Sequence, residues 1–180
     1  MKKTNTWTLT RVTLLTLLSV ATSSTVSADN VMDQVDQNSQ FYKIVKGSKK
    51  MMDAATMSIG GKGNGAPPYA VFVPTDKALG VALKATGKDK EAAKDIILAH
   101  VVPVEKNDDA AIRAQLTGDG ESAGPSSMGG STITLVGGKL AVNYEPDEDD
   151  AIPANSPSIV GDGVKTGNGY VYKIDGVLAR

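Results

Sequence analysis

Apolar positions recur along the chain with two spacings, and the switches between those spacings divide it into elements. In DNVMDQVDQNSQFYKIVKGSKKMMDAA (29–55), Val31, Met32 and Val35 form one short stripe. Phe41, Ile44, Val45 and Met52 form a second at i, i+3, i+4 and i+11, so the segment reads as helical. Asn38 or Ser39 stands between the stripes, where a side-chain oxygen caps the second helix. GGKGNGAPP (60–68) reads as a loop, because glycine and proline resist both regular structures. Tyr69 to Val73 is a compact β-favouring run that Pro74 ends. Thr75 or Asp76 then caps a helix whose buried side is Ala78, Leu79, Ala82 and Leu83.

KEAAKDIILAHVVP (90–103) places Ala93, Ile96, Ile97 and His100 on one face and predicts an amphipathic helix running to Pro103. Residues 105–130 are polar and rich in Gly, Asp and Ser, and read as connection. STITLVGGKLAVNY (131–144) is a hairpin pattern: Ile133 and Leu135 alternate with threonines, Gly137-Gly138 turns, and Leu140 and Val142 return. An acidic, Pro-punctuated stretch (144–157) follows, then SIV (158–160), a turn, and the strand signal GYVYKIDGVL (169–178). There is no internal repeat. Helices and strands are segregated rather than alternating, which predicts an α+β domain.

The first 28 residues change the picture of where the chain works. Lys2, Lys3 and Arg11 precede the apolar run VTLLTLLSVA (12–21), and Val26-Ser27-Ala28 supplies small residues for cleavage. That order predicts a secretory signal peptide over 1–28 and a single domain over 29–180. The run is about half the roughly 20 residues a bilayer span requires, so no transmembrane anchor is expected after cleavage. Cleavage removes three basic residues from the 19 present and leaves the 20 acidic ones, a net charge of −4. A nucleic-acid partner is not expected, because such surfaces cluster Lys and Arg. The chain has no cysteine, which excludes thiol nucleophiles, thiolate zinc sites and disulfides. Neither Asn38-Ser39-Gln40 nor Asn155-Ser156-Pro157 completes a glycosylation acceptor. A secreted or periplasmic location is expected.

Candidate chemistry is sparse. GESAG (120–124) matches G-x-S-x-G, but a nucleophilic Ser122 needs a strand before it and a helix after it. AQLTGDGE and AGPSSMGG provide neither, and the sole histidine, His100, precedes the serine on an apolar stripe. His100 therefore reads as a hydrogen-bonded core residue rather than a base or metal ligand. Thr75 and Asp76 read as a cap and turn. A helix N-terminus attracts anions, yet Asp76 already supplies negative charge there. The run Asp147, Glu148, Asp149, Asp150 lacks the EF-hand ligand at Ala151 and the glycine at Ile152, and reads as a solvated loop. GGKGNG lacks the strand and the G-K-[ST] ending of a phosphate cradle. No cofactor or metal is expected, and no constellation points to a catalytic site; general acid/base pairing among the plentiful carboxylates stays open, because sequence does not record which of them meet in space.

Three ordered blocks carry a family resemblance. YAVFVPTDKAL (69–79) resembles the first signature block of fasciclin-like domains, IILAHVVP (96–103) their L-L-x-Y-H-V-V-P element, and GNGYVYKIDGVL (167–178) their second block. DNVMDQVDQNSQFYKIV (29–45) is similar to the family's helical opening. The resemblance implies a β-wedge or sandwich of about seven strands with a helical side layer. It also implies a non-catalytic module for adhesion or association with a protein, matrix or cell-surface partner. Thr75, Asp76 and His100 then fall in structural motif positions. Ala99 stands where the family often has the Tyr of a Tyr-His pair, and Tyr172 and Lys173 replace a His and a Val. Gly163-Val164 stands where adhesive animal members carry Asp-Ile, with Asp162 one residue early. These departures point away from animal-type receptor adhesion and toward a bacterial-style exported domain. Asp162, Val164, Tyr170 and Tyr172 are the candidate partner-binding residues. The alternative is a carrier of a small apolar ligand, such as a pigment or lipid, held near Met32, Met51, Met52 and Met57.

Overall fold

The computed structural model describes residues 30–49, 51–52, 67–87, 89–118, 124–144 and 152–178. A 3₁₀ turn, Val31–Gln34, opens this part of the chain. Asn30 caps it by accepting from the Met32 N–H, while Asp33 reaches back to the Asn30 N–H. Helix α1 is Gln40–Gly47, with Ser39 at its N-cap accepting from the Tyr42 N–H at 3.1 Å. Helices α2 (Asp76–Ala85) and α3 (Lys90–Ala99) are capped in the same way by Thr75 and Asp89.

Strands β1 (Tyr69–Pro74), β2 (Val101–Pro103), β5 (Ile159–Thr166) and β6 (Gly169–Ile174) form one sheet in the order β2-β1-β6-β5. β1 lies parallel to β6 and antiparallel to β2, and β5 is antiparallel to β6. A second sheet pairs β3 (Ile133–Val136) with β4 (Lys139–Val142), Ile133 opposite Val142 and Leu135 opposite Leu140. Its turn places Gly137 at φ +57° and Gly138 at φ +83°, the left-handed pair that a tight hairpin requires.

The unbroken apolar run of β1 follows from its central place: both of its faces are buried, so alternation of apolar and polar residues is lost. Side chains of successive residues point to opposite faces. Tyr69 and Val71 enter one core with Val31, Met32, Phe41, Leu79 and Ile97 from the helical side. Ala70 and Phe72 enter a second core with Ile112, Ile133, Leu140 and Tyr172. β6 divides likewise, Val171 to the first core and Tyr170, Tyr172 and Ile174 to the second.

The α+β class is as expected, and three elements differ from the sequence pattern. α3 ends at Ala99, and Val101–Pro103 is strand: its carbonyls and amides pair with β1, which outweighs the helical periodicity leading into it. Within the stretch read as polar connection, Asp109–Thr117 forms a helix, α4. Asp108 caps it, accepting from the Ala111 N–H at 3.0 Å, and Ile112 and Leu116 are fully buried one turn apart. The signal at 158–160 extends to Thr166, so a hairpin joins β5 to β6. The described residues hold six strands in two sheets, not exactly the seven expected.

Candidate binding surface at the edge strand

Among the described residues, the sheet order leaves β5 with a strand partner on one side only. Its register against β6 is broken: Val160 lies opposite Lys173 and Val164 opposite Val171. Gly161, Asp162 and Gly163 thus face the single residue Tyr172, and the strand bulges. Gly161 is at φ +75°, a conformation that glycine alone adopts without strain. A Cβ on Gly163 would collide with the Tyr172 ring, so the backbone rests directly on that ring. Between these glycines the Asp162 side chain is exposed. Val160 and Val164, beyond them, are 52 % and 44 % exposed.

Tyr170 and Tyr172, the other two candidate contact residues, are buried on β6. Their rings stack at 5.9 Å, and Tyr172 stacks on Phe72 at 5.4 Å. The Tyr172 hydroxyl donates to Asp109 Oδ1 at 2.7 Å. Asp109 also accepts from Arg113 Nε at 3.0 Å through Oδ2, and the guanidinium lies 5.6 Å from the Tyr172 ring centre. Burial, then the bond to Asp109, pushes the phenol pKa far above its usual value, so the ring stays neutral. Asp109 and Arg113 were not legible as site residues, since both lie on α4. Their signal was Asp108 followed by Ile112 and Leu116, a cap ahead of an i, i+4 apolar pair.

Thr75, Asp76 and His100 lie apart in role from this edge. Thr75 caps α2. Asp76 accepts from the Gln40 N–H at 2.9 Å and so serves the first turn of α1, a neighbouring helix. His100 is fully buried. Its Nδ1 lies 2.6 Å from the Ile96 carbonyl, which only accepts, so Nδ1 carries the proton. Nε2 then accepts from the Leu178 N–H at 3.0 Å. Burial lowers the His100 pKa to about 4, against a smaller opposing contribution from the Ile96 bond.

Met32 and Met51, with Met128, line a void of about 10 Å³ between α1, α3 and the sheet. Met52 packs beside that core, and Met57 lies outside the described residues. The void is about the size of one water, far below the roughly 300–1,000 Å³ of a small-molecule site. Among the described residues, no three acidic or histidine side chains converge as metal ligands. Ser122 and the run from Asp147 to Asp150 lie outside the described residues. No described helix is long and apolar enough to cross a membrane.

A Fasciclin domain family model matches residues 36–180, and the chain belongs to that family. Among solved structures, the fold is similar to a FAS1 domain pair from the insect cell adhesion molecule fasciclin I. That likeness has a TM-score of 0.51 at 12 % identity, and covers 76 % of this chain and 43 % of the pair. This chain thus spans less than half the length of the structure it resembles. No curated protein matches it.

Proposed function

We propose that this fasciclin-domain chain is an exported, non-catalytic module that associates with a protein, matrix or cell-surface partner through the outer edge of β5. The observation that carries this reading is the bulge at Gly161–Gly163, which presents Asp162 between the exposed Val160 and Val164. A carboxylate on a buttressed backbone, flanked by apolar side chains, offers one directional contact and a dry rim. Membership of a family associated with adhesion and protein interaction supports it. The bulge also disfavours strand-to-strand addition along this edge, so the side chains carry recognition. For the methionine-lined void to carry an apolar molecule it would have to open from about 10 Å³ to ligand size.

Export is assigned to residues 1–28, with the mature chain beginning at Asp29. The test of binding is crosslinked capture from intact envelopes of the native host. The wild-type chain should recover a distinct partner, and Asp162→Lys and Val164→Asp should each lose it. Equal recovery by all three chains would sink the assignment of this edge.

A further inference from the structure

We infer that Asp109 is the positioning residue of the edge bulge, acting through Tyr172. The inference rests on the binding reading only for its functional meaning; the mechanical coupling stands on geometry. Three bulge residues, Gly161 to Gly163, face one residue of β6, and that residue is Tyr172. Gly163 has no room for a Cβ above the ring, so the position of the ring decides where the bulge backbone lies. The ring in turn has little freedom. Phe72 stacks on it at 5.4 Å, and Tyr170 at 5.9 Å. Stacking alone permits the ring to slide in its own plane. The hydroxyl bond to Asp109, 2.7 Å long and made to a charged acceptor, fixes that remaining motion.

Asp109 is itself held. Its carboxylate takes two contacts from Arg113 Nε, at 3.2 and 3.0 Å, one turn along α4. The Arg113–Asp109 pair is half-exposed and contributes little stability as a surface ion pair. Its consequence is orientation: it turns Oδ1 toward the phenol. α4 is docked by Ile112 and Leu116, both fully buried, so Asp109 is referenced to the second core. The chain of contact runs from that core through Asp109 and Tyr172 to the backbone that carries Asp162. Without the hydroxyl bond the ring keeps its stacking partners but loses its registration, and the bulge samples other positions.

The proton resonances of the Gly163 α-carbon report this directly, because a group resting on an aromatic ring is displaced in the spectrum. In the full mature chain, Asp109→Ala and Tyr172→Phe should each reduce that displacement by half or more. Amide exchange at Val160 and Val164 should quicken by about tenfold, the scale of losing one charge-assisted hydrogen bond. Exchange along Ile133–Val136 should not change, which separates repositioning from general destabilisation. Asp109→Asn, which keeps an oxygen acceptor for the phenol, should restore most of the displacement. Tyr172→Phe keeps the ring and its packing, so it remains a usable test if Asp109→Ala fails to fold. An unaltered Gly163 displacement in folded Tyr172→Phe would overturn the inference. Asp162→Ala separates the two proposals: it should lose partner capture with Gly163 unchanged. Full capture by Asp162→Ala would defeat the binding reading and leave the coupling standing.

Discussion

His100 shows how one side chain acquires a fixed role from its two ring nitrogens. Nδ1–H donates to the Ile96 carbonyl, and Nε2 accepts from the Leu178 amide, so only the neutral ring satisfies both neighbours. The unfolded chain takes up a proton near pH 6.5, and the folded chain only near 4. Stability from this group is therefore full above pH 6.5 and declines as pH falls through that window, by about 3 kcal/mol in all. Urea unfolding between pH 7 and 4 checks the slope, and His100→Gln should flatten it. Asn168 offers a second test at this scale. Its buried Oδ1 accepts from the Val31 N–H at 2.7 Å and from the Thr166 hydroxyl at 3.2 Å. It ties the first helical turn to the β5–β6 hairpin across the length of the chain. Asn168→Ala leaves the buried Val31 N–H without this acceptor and should cost about 1–3 kcal/mol in denaturant unfolding.

At the scale of elements, α4 and β2 were the least legible. α4 is nine residues long, with alanines and polar groups on most of its surface. Its apolar face amounts to Ile112 and Leu116, too little for periodicity to stand out in a stretch rich in Asp, Gly and Ser. Burial of those two residues makes it part of the core all the same. Leu116→Ala should destabilise the chain by about 2–5 kcal/mol, as for a core leucine and not a loop residue. The sequence of β2 carries a helical signal, because Ile96, Ile97 and His100 continue a helical face toward Pro103. Val101 and Val102 gain more from pairing with β1 than from another helical turn. The glycine turn of β3–β4, by contrast, is set by local chemistry, since Gly137 and Gly138 supply both positive φ angles. The caps Ser39 and Thr75 are local in the same sense.

At the scale of the molecule, two cores share one sheet, and the exposed edge is the outer face of the hairpin that closes the chain. The proposed export and binding belong to this scale. Mass spectrometry of the protein from its native host should find a chain starting at Asp29, and a retained N-terminus would refute the cleavage assignment. The sequence by itself determined the α+β class, the order of blocks and the family. It did so because β-favouring runs, helical stripes, caps and glycine turns act over a few residues. It also put Asp162 and Val164 in a segment of interest. Only the tertiary structure decided that Tyr170 and Tyr172 are buried and that a bulge lifts Asp162 outward. It also brought Asp109, far away in the chain, to the hydroxyl of the ring beneath. Those outcomes depend on strand order and on contacts between residues dozens of positions apart, and spacing along a chain carries no record of which distant side chain arrives opposite.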